Sequence, residues 1–579
     1  MRRTVLFVLT LLTAVITTAQ RIGRIENVTE YDHSVKGGRV LKSIGSASTA
    51  PLPSKGSPKV PVILVQFADL KFSIADTDAA VVENYELFFN GGEGVRPGQV
   101  GHESYCSVRE YYNLQSAGQF TPEFTIIGPV TLSESYKYYG ENSGSSNDIR
   151  INAFYSEACS LAVRDFSVDW SIFDNKGNGS VSLVFFLYAG VGENSSDDTY
   201  AIWPKESASS KTITYGDASV TFGAFGATCE LYQSWQDGIG PIVHELGHGL
   251  GLPDFYDTNY QAFGMDIWDV MDSGCYQMLG AHPCNMSAYE REFMGWSSIV
   301  PLNADSACTI VLEPLSSHGT AYKIVNKANS NEFLILENRQ NEGLDAYFGN
   351  LSQHYADTYG RNHGLMVSHV DFLASAWNNN RVNTTASHQR MTIVPADNDL
   401  ISNCYGYDDN WAQSLRGDLY PGCNGTTELT SYAAYTGGTF GVTIDNIKET
   451  ADGRIYVDIN GGAPRLHAVT YILDGEEYYV DTVAYDSLFA VLPAPERENL
   501  EFDGWTGLPA DNIMPDNDIT ITGSFSIPAD ISEISLRDAD DEVITQIYTL
   551  DGRRISSLQQ GINIVRTNKG KIRKIIVGN

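Results

Sequence analysis

His244-Glu245-Leu-Gly-His248-Gly-Leu-Gly251-Leu-Pro-Asp254 reads as a metal-ligating helix followed by a returning loop. Two histidines four residues apart lie on one helical face, with Cβ atoms roughly 5–6 Å apart. At that separation both imidazoles reach a single Zn²⁺ at about 2.0–2.1 Å per Zn–N bond. Glu245, beside the first histidine, is placed to activate a zinc-bound water rather than to ligate the metal. Gly251 ends the helix, because glycine accepts the left-handed conformation that turns the chain back. Asp254 then returns as a third, oxygen ligand. Three protein ligands leave one tetrahedral position open, which distinguishes a catalytic zinc site from a structural one. The apolar Ile242-Val243 precede the motif, and Trp268-Asp-Val-Met271-Asp-Ser-Gly274 follows it. The latter reads as a methionine turn that sets a thioether beneath the metal.

Outward from this helix, alternating elements predict a mixed α/β (α+β) catalytic domain over residues 58–300. Val60-Pro-Val-Ile-Leu-Val-Gln-Phe67 and Val181-Ser-Leu-Val-Phe-Phe-Leu-Tyr-Ala189 are continuous apolar runs, as buried strands require. Helical patterns fall at Ser107–Leu114 and Ile149–Arg164, a strand at Gln119–Ile127, and the zinc helix itself at about Pro241–Leu250. From 301 to 461, turn residues punctuate short β-rich runs such as Phe333-Leu-Ile-Leu-Glu337. This predicts an all-β, sandwich-like domain packed behind the site. Residues 462–527 and 528–579 read as small β-rich modules.

The chain has 579 residues, 42% hydrophobic and 11% aromatic, with a formal net charge of −33. That excess of acid argues against nucleic-acid binding, which favours a basic face. It also supplies oxygen-rich positions for Ca²⁺, or simply solubility. Met1-Arg-Arg-Thr, the apolar run Val5–Ile16 and the small Ala19 make a secretory signal peptide, with cleavage expected after Ala19. Residues 20–57 are polar and Gly/Ser/Pro-rich, as a pro-segment or linker is. No later stretch of 18 apolar residues suggests a transmembrane span. Eight cysteines in an oxidising compartment make disulfides an expectation, with Cys275–Cys284 and Cys404–Cys423 closing short loops. The last 29 residues reverse the sign of the chain, with seven Arg/Lys (Arg553, Arg554, Arg566, Lys569, Lys571, Arg573, Lys574) against Asp551 alone.

His244 to Asp257, read through as His-Glu-Leu-Gly-His-Gly-Leu-Gly-Leu-Pro-Asp-Phe-Tyr-Asp, resembles the secreted bacterial metallopeptidases of the immune inhibitor A family. Ser107-Val-Arg-Glu-Tyr-Tyr, Gly128-Pro-Val-Thr-Leu132, Tyr188-Ala-Gly-Val-Gly-Glu193 and Ile202-Trp-Pro204 are similar to its catalytic half. Glu337-Asn-Arg-Gln340, Gly364-Leu-Met-Val-Ser-His369-Val-Asp371 and Gly417-Asp-Leu-Tyr-Pro-Gly422 extend the likeness downstream. The resemblance implies a zincin-like domain and a zinc endopeptidase acting on proteins or peptides. His244, His248 and Asp254 would be ligands, Glu245 the general base, and Met271 the methionine turn. Asp257 stands as a rival ligand or as the acid that holds the ligand loop by hydrogen bonds.

Other residues keep two readings. Asp174-Asn-Lys-Gly-Asn178-Gly179 resembles a calcium loop with Lys176 in place of an oxygen ligand, or is a tight Asx/Gly turn. Tyr276 and Tyr289 either donate to a developing oxyanion or pack. His369, Asp371 and Asp397 hold another metal or belong to the core. Residues 463–527 look like an internalin-type B repeat, and the final segment is similar to type IX secretion sorting domains without their usual aromatic after the glycine. These modules suggest cell-surface association, and with it a second reading: a surface adhesion protein on a metallopeptidase-like scaffold without relevant turnover.

Overall fold

The computed structural model describes residues 50–577, apart from 101, 145, 197, 208, 348–362, 402–408, 462–465, 486, 498–499, 516 and 527–542. The expected signal peptide, Cys404 and much of the 20–57 segment lie outside the described residues. The chain divides into two compact units, the first running to residue 463 and the second from residue 464.

The first unit is built on strands β1 (Lys59–Gln66), β2 (Glu123–Thr131), β3 (Val181–Val191), β4 (Lys205–Ser207) and β5 (Ala218–Tyr232), in sheet order β2-β1-β3-β5-β4. β1 runs parallel to β2 and β3, β3 runs parallel to β5, and β4 pairs antiparallel with β5, as do two short strands at Lys211–Tyr215 and Trp235–Gln236. Both faces of the sheet are covered, which explains the unbroken apolar runs of β1 and β3. Val60, Val62 and Leu64 of β1 face a core shared with Ile242 and Leu246 of the zinc-motif helix. Ile63 and Val65, one step out of phase, face a second core with Phe154, Tyr155 and Ala158.

Among the described residues before Val300, the helices of 6 residues or more are α1 (Asp78–Asn90), α2 (Val108–Gln115), α3 (Ile151–Asp165), α4 (Ile239–Gly249) and α5 (Ala288–Phe293). Ser107 caps α2, its hydroxyl accepting from the Glu110 amide. α3 starts two residues later than the sequence pattern places it, because Asp148 is left-handed at φ 50° and its carboxylate is paired with the buried Lys205. Residues 50–57 already belong to the fold: the Leu52 amide donates to the Gly249 carbonyl at 3.0 Å, at the end of α4.

Downstream lie β6 (Cys308–Leu312), β7 (Tyr322–Asn326), β8 (Asn329–Arg339), β9 (Gly364–Asp371), helix α6 (Ala374–Asn378), β10 (Met391–Ile393), helix α7 (Asp409–Asp418), β11 (Ile444–Glu449) and β12 (Ile455–Ile459). β7 to β10 form one sheet with a short strand at Val300–Pro301, and β6, β12 and β11 form another. The expected all-β region is therefore β-rich but carries two helices. Trp411 and Leu415, four apart on α7, are buried, and the Trp411 indole donates to Asp266 Oδ2 at 3.1 Å. This region shares a core with the helix of the motif: Ile335, Met366, Trp377, Trp411 and Leu419 join the cluster that contains Ile242 and Leu246.

The expected Cys275–Cys284 bridge does not form, and both are buried thiols. The charged neighbours of Cys275 are Asp272, Glu245 and Asp237, whereas those of Cys284 are Arg339, Asp345 and Asp269, so the two sulfurs face different surroundings. Cys423 is an exposed thiol, and its expected partner Cys404 is not described.

The second unit holds two four-stranded sheets. One, β13 (Leu466–Leu473), β14 (Glu476–Ala484), β15 (Glu501–Thr506) and β16 (Ile519–Ser526), has the order β14-β13-β16-β15. Val469, Tyr471, Phe489, Met514 and Ile521 form its core. The other, β17 (Ile544–Thr549), β18 (Arg554–Ile555), β19 (Gly561–Thr567) and β20 (Ile572–Val577), is antiparallel throughout. Among the described residues no helix is long and apolar enough to cross a membrane.

Candidate metal centre

α4 begins at Ile239, two residues before the sequence reading. Its first turn is wedged against the segment that follows the methionine turn. A Cβ on Gly240 would lie 1.8 Å from the Cys275 carbonyl oxygen, so only glycine fits there. Proline at position 241 is tolerated in this first turn, where the missing N–H has no partner to lose. From α2, the Tyr112 hydroxyl donates to the Val243 carbonyl at 2.6 Å. Gly251, at φ 98°, donates to the His248 carbonyl and Leu252 to that of Gly247, which closes the helix as a glycine stop does.

The motif's side chains converge. His244 and His248 present their rings at 4.9 Å between centroids, nearly perpendicular. Nε2 of each lies 3.1 Å from Asp254 Oδ1. Nδ1 of His244 meets the Val270 carbonyl at 2.9 Å, and Nδ1 of His248 meets the Leu252 carbonyl at 2.8 Å. A carbonyl only accepts, so Nδ1 carries the proton in each neutral ring and Nε2 offers its lone pair inward. Among the described residues this is the one grouping of three such donor groups with ligand atoms all within 4.8 Å of one another. Two neutral imidazoles with fixed tautomers and one carboxylate form the nitrogen and oxygen donor set that suits zinc.

The electrostatics are those of a site built for a cation. Burial alone raises a carboxyl, but the attraction of the adjoining imidazoles when they are protonated, His248 foremost, holds Asp254 below the usual carboxylate range. Burial disfavours charge on His248, yet Asp254 overrides it and pushes that imidazole up to about 10. A proton therefore competes with a metal ion for this cluster. Glu245 is raised by burial, with the two histidines pulling it back, and its Oε2 is buried without a hydrogen-bond partner.

The cluster floors an open cleft, whose free space of about 770 Å³ includes the solvent at its mouth. One wall carries Tyr256, Tyr260 and Phe263, another Trp203, Pro204 and Lys205, and a third Ser273 and Tyr276. Met271 lies under α4: a Cβ on Gly247 would meet its sulfur at 2.6 Å. The methionine turn is pinned by acids, the Met271 amide donating to Asp269 Oδ1 at 2.8 Å and Ser287 Oγ to Asp269 Oδ2 at 2.9 Å. Buried Arg339 of β8 donates to Glu337, Asp345 and the Trp268 carbonyl, and so ties this turn to the β-rich region.

The remaining sequence candidates separate. Asp257 is on the cleft wall but outside the histidine cluster, and its two oxygens accept from the Asn259 and Gln261 amides at 2.8 and 2.9 Å. Tyr276 lines the cleft, and burial keeps its hydroxyl protonated. Tyr289 does not line it and packs instead among Phe255, Phe293 and Trp377. Asp174 accepts from the Asn178 and Gly179 amides at 3.0 and 2.7 Å, the geometry of an Asx turn, while Lys176 reaches the Ala50 carbonyl. No carboxylate or imidazole group joins Asp174 in a metal-sized cluster among the described residues. His369 is a core histidine, held by Glu332 at 3.0 Å and stacked on Tyr435. Asp371 pairs with His388 and Arg390.

Two residues carry no sequence signal. Glu206, on edge strand β4, is fully buried near His248 and Glu245, and burial raises its carboxyl to about 8. Asn380 reaches Asp254 from 126 residues away.

Residues 47–298 match the family described as immune inhibitor A peptidase M6, catalytic domain. The chain is 27% identical over 279 residues to the pre-pro-metalloprotease PrtV of Vibrio cholerae serotype O1, covering 42% of this chain and 30% of that protein. It is 28% identical over 317 residues to immune inhibitor A of Bacillus thuringiensis subsp. alesti, covering 45% of this chain and 44% of that protein. The chain thus spans less than half the length of either relative. The converging histidines and the returning aspartate all lie within residues 47–298, the stretch that matches the peptidase M6 catalytic domain of the immune inhibitor A type.

Proposed function

We propose that this protein is a secreted zinc endopeptidase that hydrolyses peptide bonds in proteins. His244, His248 and Asp254 hold the ion, and Glu245 is the general base. The observation that carries this reading is the convergence of three ligand atoms beside a buried, unpartnered carboxylate at the floor of an open cleft. When bound, zinc supplies Lewis acidity, polarising a carbonyl and lowering the pKa of water towards about 7.

Glu245 takes a proton from the attacking water at its free Oε2 and hands it to the leaving amine nitrogen. Burial raises its carboxyl, and this brings its basicity nearer to working pH. Tyr276, kept protonated on the cleft wall, donates its O–H to the substrate carbonyl oxygen as negative charge develops there. Asp257 orders the loop that returns Asp254, and Met271 supports the helix that carries both histidines. The pattern through Ala19 supports export, and the resemblance of the C-terminal modules supports display at a cell surface.

Casein hydrolysis by wild type and Glu245→Gln tests the reading. General-base loss costs typically 10²–10⁴-fold in rate, so Glu245→Gln is expected to retain zinc and lose hydrolysis by at least about 10²-fold. Hydrolysis by Glu245→Gln at the wild-type rate would overturn it.

A further inference from the structure

We infer that Asn380, in the β-rich region beyond the matched domain, is a positioning residue of the metal centre that selects which oxygen of Asp254 faces the ion. The inference rests on the proposed His244–His248–Asp254 metal site.

The contact is a two-point clamp. The Asp254 amide donates to Asn380 Oδ1 at 2.7 Å, and Asn380 Nδ2 donates to Asp254 Oδ2 at 2.5 Å. Both residues are buried, at 1% and 5% exposure, so no water substitutes for either bond. A carboxylate has two equivalent oxygens. Here Oδ2 is committed to the amide, which leaves Oδ1 as the atom 3.1 Å from both imidazole Nε2 atoms. Asn380 is left-handed at φ 52°, a conformation that asparagine accepts more readily than most side chains.

The clamp is part of a longer seam. Asn383 Nδ2 donates to the Phe255 carbonyl at 2.6 Å, Asn259 Nδ2 to the Thr384 carbonyl at 3.0 Å, and the Gly264 amide to Gln389 Oε1 at 2.7 Å. The segment between β9 and β10 thus holds the ligand-returning loop along its length. The β-rich region completes the metal centre, and Asn380 is the residue by which it touches a ligand.

Outer partners of metal ligands typically contribute 10–100-fold in affinity. In the full-length protein, Asn380→Ala and Asn380→Asp are each expected to weaken zinc binding by about that factor, read by competition with a chromophoric chelator. Both are also expected to change the visible absorption spectrum of the cobalt-substituted protein, which reports ligand geometry directly. Asn338→Ala is the control for lost stability alone. Asn338 is a buried asparagine of β8 that bonds the Leu312 and Gly453 carbonyls. It is expected to lower Tm while leaving the zinc Kd and cobalt spectrum as in wild type. Should Asn380→Ala fail to fold, the near-isosteric Asn380→Asp carries the measurement. A wild-type zinc Kd and cobalt spectrum in either folded Asn380 variant overturns the inference. Wild-type protein that takes up neither ion overturns the metal reading itself, and this inference with it.

Discussion

Substituting the glycines of α4 separates contacts that can yield from contacts that cannot. In Gly240→Ala the new Cβ meets the Cys275 carbonyl oxygen at 1.8 Å, the Cys275 carbonyl carbon at 2.9 Å and Gly280 Cα at 3.0 Å. All three are backbone atoms, and the first lies about 1.2 Å inside the closest approach that real Cβ atoms make. In Gly247→Ala the new Cβ meets the Met271 sulfur at 2.6 Å and its Cε at 3.4 Å, the far end of a flexible side chain. Alanine gains up to about 1 kcal/mol of helix propensity over glycine, whereas overpacking a rigid contact costs about 1–3 kcal/mol or more. Gly240→Ala is therefore destabilised by about 1–2 kcal/mol net and Gly247→Ala by close to nothing. For Gly240→Ala that is a Tm drop of a few degrees, at roughly 2–4 °C per kcal/mol for large domains. The functional cost is larger. α4 must move by about 1 Å, carrying both histidines relative to Asp254, and such a displacement costs on the order of 10²-fold in rate. Thermal melts and casein hydrolysis at saturating zinc measure both. Gly240→Ala with wild-type Tm and rate, or with milder effects than Gly247→Ala, would refute the reasoning.

Arg339→Met strands Glu337 and Asp345 as buried carboxylates, and losing one partner of a buried network costs about 3–5 kcal/mol; chemical denaturation should show it as a lowered midpoint at unchanged m-value. Asp237, buried before α4, is raised to about 7 by burial, with Cys229 and the Gly238 amide pulling it back. The folded protein thus keeps a proton between pH 4 and 7 that the unfolded chain releases, so stability falls as pH rises through that window and levels off above it. Asp237→Asn removes this dependence and should raise Tm at pH 8 more than at pH 5; an equal change at both would contradict the assignment. Chelating the metal should lower Tm, since a ligand at 100 times its Kd stabilises by about 2.7 kcal/mol; an unchanged melt would count against a bound ion.

Local signals made the sheet and the metal helix legible. The apolar runs at Val60 and Val181 required strands covered on both faces, and β1 does divide its alternate side chains between two cores. The histidine spacing sets both imidazoles on one face through helix geometry, and Gly251 turns the chain back towards Asp254. What stayed hidden depends on distance along the chain. Nothing in Asn378-Asn379-Asn380 signals that one of them will hold Asp254, because that contact exists only once two regions share a core. Tyr276 and Tyr289 look alike in sequence, and only packing sends one to the cleft and the other to Trp377. Cys275 and Cys284 are close in sequence, but their thiols sit among different neighbours. The helix α7 was masked by a polar segment in which Trp411 and Leu415 alone carry the helical period.

The central claim is that one zinc ion sits where His244, His248 and Asp254 converge. Anomalous diffraction from crystals of the zinc-loaded protein at the zinc absorption edge tests it most directly. The account predicts a single strong peak about 2.0–2.1 Å from Nε2 of both histidines, in contact with Asp254 Oδ1 and absent in His248→Ala. A peak elsewhere, or none between those rings, would contradict it.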